Sequence, residues 1–326
     1  MIDFEPDEEQ ALIVDTVRQF AQKEIRPLAR ECDESGRLPQ AVLEAAHELG
    51  LVANALPEAH GGGGERHAVT GALVAEELAW GDLAIGLAIL SPALLAFPVA
   101  DLGTPAQKQA WLPRFAGERF HPGSLALVEP RLGSDTFRPT LRARREGEGY
   151  VLEGRKALVP WLDGGEAVLV FADEDGAPQG FLVPRDAEGL GAERERLMGI
   201  QALPTAELDF SGVRVPAEAR LGGEPGSELR PLVARGRVAL AAAGVGVARA
   251  AFEVARDYAK EREVFGVKVA QKQAIAFMLA SMAIEIDGAR LLVWEAADAL
   301  DRGEDALARA TKAWRQVQRV ALDAAD

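Results

Sequence analysis

The chain has 326 residues, 48% of them apolar, long enough for roughly two or three domains with cores of their own. A net charge of −15 gives no electrostatic attraction for nucleic acid or an anionic membrane, so neither is expected as a partner. The single Cys32 excludes an intrachain disulfide and suits a reducing cytoplasm, while His47, His60, His67 and His121 lack ligand spacing and offer no metal site.

The opening MIDFEPDEEQ is acidic and lacks the basic-then-apolar order of a secretory leader, so a cytoplasmic protein is expected. Asp7-x-x-Gln10 is a variant capping box. It leads into a helix whose apolar stripe runs through Ile13, Val17, Phe20, Ala21, Ile25 and Leu28. Residues 39–49 read as a second helix closed by Gly50. The four glycines 61–64 follow no strand pattern, as a phosphate loop requires, and read as a turn. Residues 68–80 are helical and end at Gly81. Residues 83–100 carry no charge, which is the lower edge of a membrane span. Pro92 and Pro98 break that run and no basic flank follows, so a buried helix pair is expected. Thr104-Pro105-Ala106-Gln107 is a helix start with cap, N1 proline and returning Gln.

After about Gly123 the texture changes to short runs broken by Gly, Asp and Pro: 141–145, 150–159, 167–172, 180–183 and 205–210. Their spacing predicts a small antiparallel β domain. Helix resumes near Ser227. A turn at Phe265-Gly266 separates it from a long helix carrying Ile275, Met278, Met282, Ile286 and Ala289 and ending at Gly303; residues 306–325 form a last helix. The fold class expected is mainly α with a central β domain. The boundaries are 1–120 for an N-terminal helical domain, 121–225 for a β-barrel or sandwich, and 226–326 for a C-terminal helical bundle.

Several blocks in this order resemble the acyl-CoA dehydrogenases: FEPDEEQALIVDTVRQFAQKEIRPLA, LPEAHGGGG, VAEELAWGD, EPRLGSD, PTAELDFSGVRVPAEARLG and YAKEREVFGVKVAQKQ. The resemblance covers essentially the whole chain. It implies FAD as cofactor and an acyl-CoA thioester as substrate. A carboxylate base takes the proton beside the thioester and the β carbon gives hydride to the flavin. It also implies an oligomer, either a homodimer or homotetramer or a hetero-oligomer with a full-length relative, and a place in fatty acid metabolism.

Carried over by the resemblance, the flavin-facing loop A-x-T-E-P-x-A-G-S-D is 126–135 in this chain. Ser134 would meet the pyrophosphate and the substrate. Val128 replaces a Thr whose hydroxyl contacts the flavin pyrimidine, and leaves the backbone N–H groups of Leu127 and Val128 to serve. The family block K-x-W-I-T-N-G is 156–162, with Leu158 in place of the stacking Trp and Pro160 in place of the Thr. Trp161 is expected to face the other side of its strand. Arg262, Phe265 and Gln273 match residues that reach a neighbouring subunit's FAD, and Arg237 matches an Arg near the coenzyme A end of the pocket. No catalytic base can be assigned. The usual Glu would fall past Asp326, and the alternative helix position is Gly236. Two readings stay open: a dehydrogenase-type flavoprotein seen in incomplete form, and a non-catalytic subunit that completes a partner's FAD site.

Overall fold

A computed structural model describes residues 6–64 and 66–326; residues 1–5, the first part of the acidic stretch, lie outside them. Helix α1 (Glu8–Phe20) starts on the expected capping box: Asp7 accepts from the Gln10 N–H at 2.8 Å and the Gln10 side chain accepts from the Asp7 N–H at 3.2 Å. Its apolar stripe runs on into a π-helical turn, Ala21–Ile25, which buries Ala21 and Ile25. Helix α2 (Ala29–Ser35) has no counterpart in the sequence reading, and α3 (Gln40–Glu48) and α4 (Ala68–Gly81) follow where expected.

The uncharged run forms two helices, α5 (Leu83–Ile89) and α6 (Ala93–Leu102), each too short to cross a membrane. Pro92 parts them. Pro98 corrects the reading, because it lies inside α6 and does not break it. One lost backbone bond is outweighed by burial of Leu95, Ala96 and Val99 around it. Helix α7 (Pro105–Phe115) opens on the complete Thr104/Gln107 box.

The strands are β1 (Leu125–Ala126), β2 (Arg142–Glu146), β3 (Gly149–Pro160), β4 (Ala167–Glu174), β5 (Ala177–Pro184), β6 (Leu190–Arg194) and β7 (Thr205–Pro216). They form one sheet in the order β1-β4-β2-β3-β7-β6, with β5 beside β4. Most neighbours run antiparallel, and β4 meets β1 and β2 in parallel. Leu152, Val168, Val170, Phe181, Leu208 and Phe210 fill the fold's β core. Helix α8 (Leu229–Glu261) leads to a hairpin, β8 (Glu263–Val264) and β9 (Val267–Lys268), then α9 (Gln273–Asp301) and α10 (Leu307–Ala325).

The chain groups into two compact units, one built on α1, α4, α8, α9 and α10, the other on α2, α3, α6, α7 and the sheet. In the helical unit α8 crosses α4 at very short range. A Cβ on Gly246 would lie 2.2 Å from the Glu76 carbonyl oxygen, so only glycine fits the crossing. Gly246→Ala is expected to lower stability by about 1–3 kcal/mol through overpacking, read as a lower urea midpoint with an unchanged slope.

Candidate functional site

The loop after β1 is organised by a buried ion pair. Lys156 on β3 has no exposed surface, and its ammonium donates to Glu129 Oε1 and to the Leu127 carbonyl, both at 3.2 Å. Glu129 also accepts from the Thr140 N–H (2.6 Å), the Thr140 hydroxyl (2.7 Å), the Leu141 N–H (3.0 Å) and Arg131 Nε (3.1 Å). Burial pushes the Glu129 carboxyl up, but these hydrogen bonds and the Lys156 charge outweigh it and bring it down to about 2. Burial lowers the Lys156 ammonium, with Glu129 opposing. One carboxylate thus ties both ends of the loop 127–141 to the sheet.

Three of the expected flavin contacts sit on this loop. The Leu127 and Val128 N–H groups make no hydrogen bond among the described residues. The Val128 side chain is exposed. The Ser134 hydroxyl accepts from the Glu129 N–H at 3.2 Å, which leaves its own proton free to donate.

The loop is pinned to β3 where that strand is irregular. Ala157 donates to the Val128 carbonyl at 2.9 Å. Between Lys156 and Val159 the β3–β7 register shifts, a bulge that puts Leu158 at φ +56 with its side chain exposed. Leu158 and Val128 are thus exposed apolar side chains on two segments joined by the Ala157–Val128 hydrogen bond. Its N–H is taken by Glu195 Oε2 at 2.8 Å, a partner that sequence reasoning missed. Pro160 has no N–H, and its carbonyl accepts from the buried Ser124 hydroxyl at 2.6 Å. Trp161 lies one residue past the end of β3, and its ring packs on the β core, with Arg185 Cζ 3.8 Å from its centroid.

The remaining candidates belong to the helical unit. Phe265 and Gly266 form a two-residue hairpin loop, both with positive φ (57 and 76). That conformation is uncommon for a bulky residue and holds the Phe265 ring 94% exposed. Arg262 precedes the hairpin and is exposed, its carbonyl accepting from the Val269 N–H at 2.8 Å. Gln273 opens α9 and is exposed. Arg237 on α8 is half-buried, donates to the Thr311 hydroxyl at 2.5 Å and lies 5.5 Å from the Trp314 ring. Gly236 is exposed with open space around it, and no carboxylate stands at that turn of α8.

The residues of the sheet unit fit the flavin expected from the resemblance. Two N–H groups unpartnered among the described residues suit the carbonyl-bearing pyrimidine edge, and Val128 and Leu158 suit an apolar ring. The segment 158–160 supplies contact surface and no free backbone donor. The Lys156–Glu129 pair was legible in principle, because a lysine between the inward-facing residues of β3 requires a buried carboxylate.

Comparison with known proteins points the same way. The acyl-CoA dehydrogenase N-terminal, middle and C-terminal domains match residues 7–119, 124–213 and 231–326. The chain is similar to the short-chain specific acyl-CoA dehydrogenase, mitochondrial, of Bos taurus, with 36% identity over 86% of this chain and 70% of that protein. It is similar in structure to butyryl-CoA dehydrogenase from Megasphaera elsdenii, with a TM-score of 0.89, 29% identity, and 98% of this chain and 86% of that one covered. It also resembles a glutaryl-CoA dehydrogenase from Mycobacterium smegmatis in complex with FADH2, with a TM-score of 0.83, 27% identity, and 98% and 89% covered.

Proposed function

The chain belongs to the acyl-CoA dehydrogenase family, and on that premise we propose that it binds FAD and serves the α,β-dehydrogenation of an acyl-CoA thioester. The observation that carries this reading is the pair of N–H groups at Leu127 and Val128, unpartnered among the described residues, on a loop hydrogen-bonded to β3, with the Val128 and Leu158 side chains exposed. When bound, FAD takes the hydride that leaves the β carbon of the substrate.

The chain's own residues bind and orient. Leu127 and Val128 donate to the pyrimidine edge through the backbone, and Leu158 and Pro160 line the ring without donating. The Ser134 hydroxyl donates to the pyrophosphate or to the substrate. Arg237 faces the coenzyme A end with the donors that Thr311 leaves free. Arg262, Phe265 and Gln273 reach the FAD of a neighbouring subunit in a homodimer or homotetramer, Arg262 toward the pyrophosphate and Phe265 toward a ring. No general base is assigned among residues 1–326: Gly236, at the family's alternative helix position, offers no carboxylate. The protein works in the cytoplasm, in fatty acid metabolism.

A second reading is favoured by Glu195, which occupies the Leu158 N–H; with Val159 paired to β7 and Pro160 lacking an N–H, segment 158–160 keeps no free backbone donor among the described residues. On that reading the chain is a non-catalytic subunit that completes the FAD site of a full-length relative through Arg262, Phe265 and Gln273. The visible absorption of the protein purified alone separates the two. Stoichiometric FAD that bleaches on addition of an acyl-CoA is the result expected of the dehydrogenase. A folded chain without flavin sinks it in favour of the subunit.

A further inference from the structure

We infer that Lys156 is a positioning residue that presents the Val128 N–H as a hydrogen-bond donor to the flavin. The inference rests on the FAD-binding reading above and deepens it.

A fully buried ammonium loses its hydration, and a pair of well-packed neutral side chains commonly serves stability as well or better. Lys156 uses one of its protons on Glu129 and a second on the Leu127 carbonyl. Stabilising the ion pair requires only the first. The second fixes a peptide plane. The Leu127 carbonyl and the Val128 N–H belong to the same peptide group, which is trans, so the two point in opposite directions. Drawing the carbonyl toward the buried ammonium turns the N–H away from Lys156, and that N–H has no partner among the described residues.

The next peptide plane is fixed as well, by Ala157 donating to the Val128 carbonyl and by the Glu129 N–H on the Ser134 hydroxyl. Val128 is therefore held on both sides with one donor left over. Its side chain cannot donate, so the oriented backbone N–H is the donor this position retains. An oriented donor needs no reorganisation when the ligand arrives.

The test uses Lys156→Met/Glu129→Gln. This double variant is neutral, keeps the volume of both side chains, and retains an acceptor oxygen for the Leu141 and Thr140 N–H groups. Gly246→Ala, in the other unit, serves as a variant destabilised for an unrelated reason. The double variant is expected to bind FAD roughly tenfold more weakly than the unsubstituted chain. The visible band of its bound flavin is expected to differ in position and shape. Gly246→Ala is expected to keep both affinity and spectrum despite its lower melting point. Unchanged affinity in the double variant, or a loss in Gly246→Ala of the same size, overturns the inference.

Hydrogen exchange of the unsubstituted chain decides the matter if the double variant does not fold. The Val128 amide is expected to exchange freely without FAD and to be protected with it. Protection in both states, or in neither, overturns the inference. A chain that binds no FAD at all overturns this inference together with the reading beneath it, whereas FAD binding unaffected by the double variant overturns the inference alone.

Discussion

Glu129→Ala is expected to remove about 3–5 kcal/mol of unfolding free energy at neutral pH, because it leaves the fully buried Lys156 ammonium without its counter-charge. The Thr140 and Leu141 N–H groups lose their acceptor at the same time. The effect has a pH signature. The Glu129 carboxyl sits at about 2 in the fold against an ordinary 4.5, so its contribution is complete above pH 4.5 and disappears as pH falls toward 2. The gap corresponds to about 3 kcal/mol. Urea unfolding of the two proteins is therefore expected to differ most at neutral pH and to converge in acid. A variant that unfolds with the unsubstituted chain at pH 7, or a difference that stays constant down to the acid limit, contradicts the network drawn around Glu129.

That network also shows what the sequence could disclose. The two capping boxes at Asp7 and Thr104 were readable because each is closed within four residues. The strands β2, β3, β4, β5 and β7 were readable as short runs between turn residues, although β2, RARRE, is itself mostly charged. Strand β1 has two residues, too few for a pattern, and β6 is an edge strand, LGAER, whose residues are largely exposed and carry no alternation. Leu158 was expected as an ordinary strand position. Its left-handed conformation follows from the bulge opposite Glu207, which only the pairing with β7 reveals. Likewise Glu195 is 37 residues from Leu158, and nothing local announces that its carboxylate caps that N–H. Residue types at the site were legible by resemblance. Which backbone groups are left free to bind depends on long-range partners, and the sequence does not print those.

In the helical unit the corresponding test is Arg249→Met. Glu76 and Glu77 are adjacent on α4 and almost wholly buried. Arg249 donates to Glu76 at 2.9 Å and to both oxygens of Glu77 at 2.7 Å. Arg290 holds Glu76 from α9, with its nearest nitrogen at 3.0 Å, and Arg18 holds Glu77 from α1 at 2.9 Å. The glycine at 246 lies one turn before Arg249 on α8, so the close helix crossing is what brings the guanidinium between the two carboxylates. Met fills the stem of Arg249 and removes the charge, leaving two buried carboxylates to share two more exposed arginines. A loss of about 3–5 kcal/mol at pH 7 is expected, the scale of a broken buried pair rather than of a surface one. Burial pushes the Glu77 carboxyl up, but the hydrogen bonds from Arg249 and Arg18 outweigh it and hold it below its ordinary 4.5. Its contribution is therefore present above that pH and fades as acid protonates it, and the deficit of the variant is expected to narrow below pH 4.5. Adding Glu77→Gln is expected to return part of the loss at pH 7, because it removes the carboxylate that Arg249 had neutralised twice over. If the double variant is less stable than Arg249→Met alone, the stranded charge is not what destabilises it, and the lost packing of the arginine stem becomes the explanation.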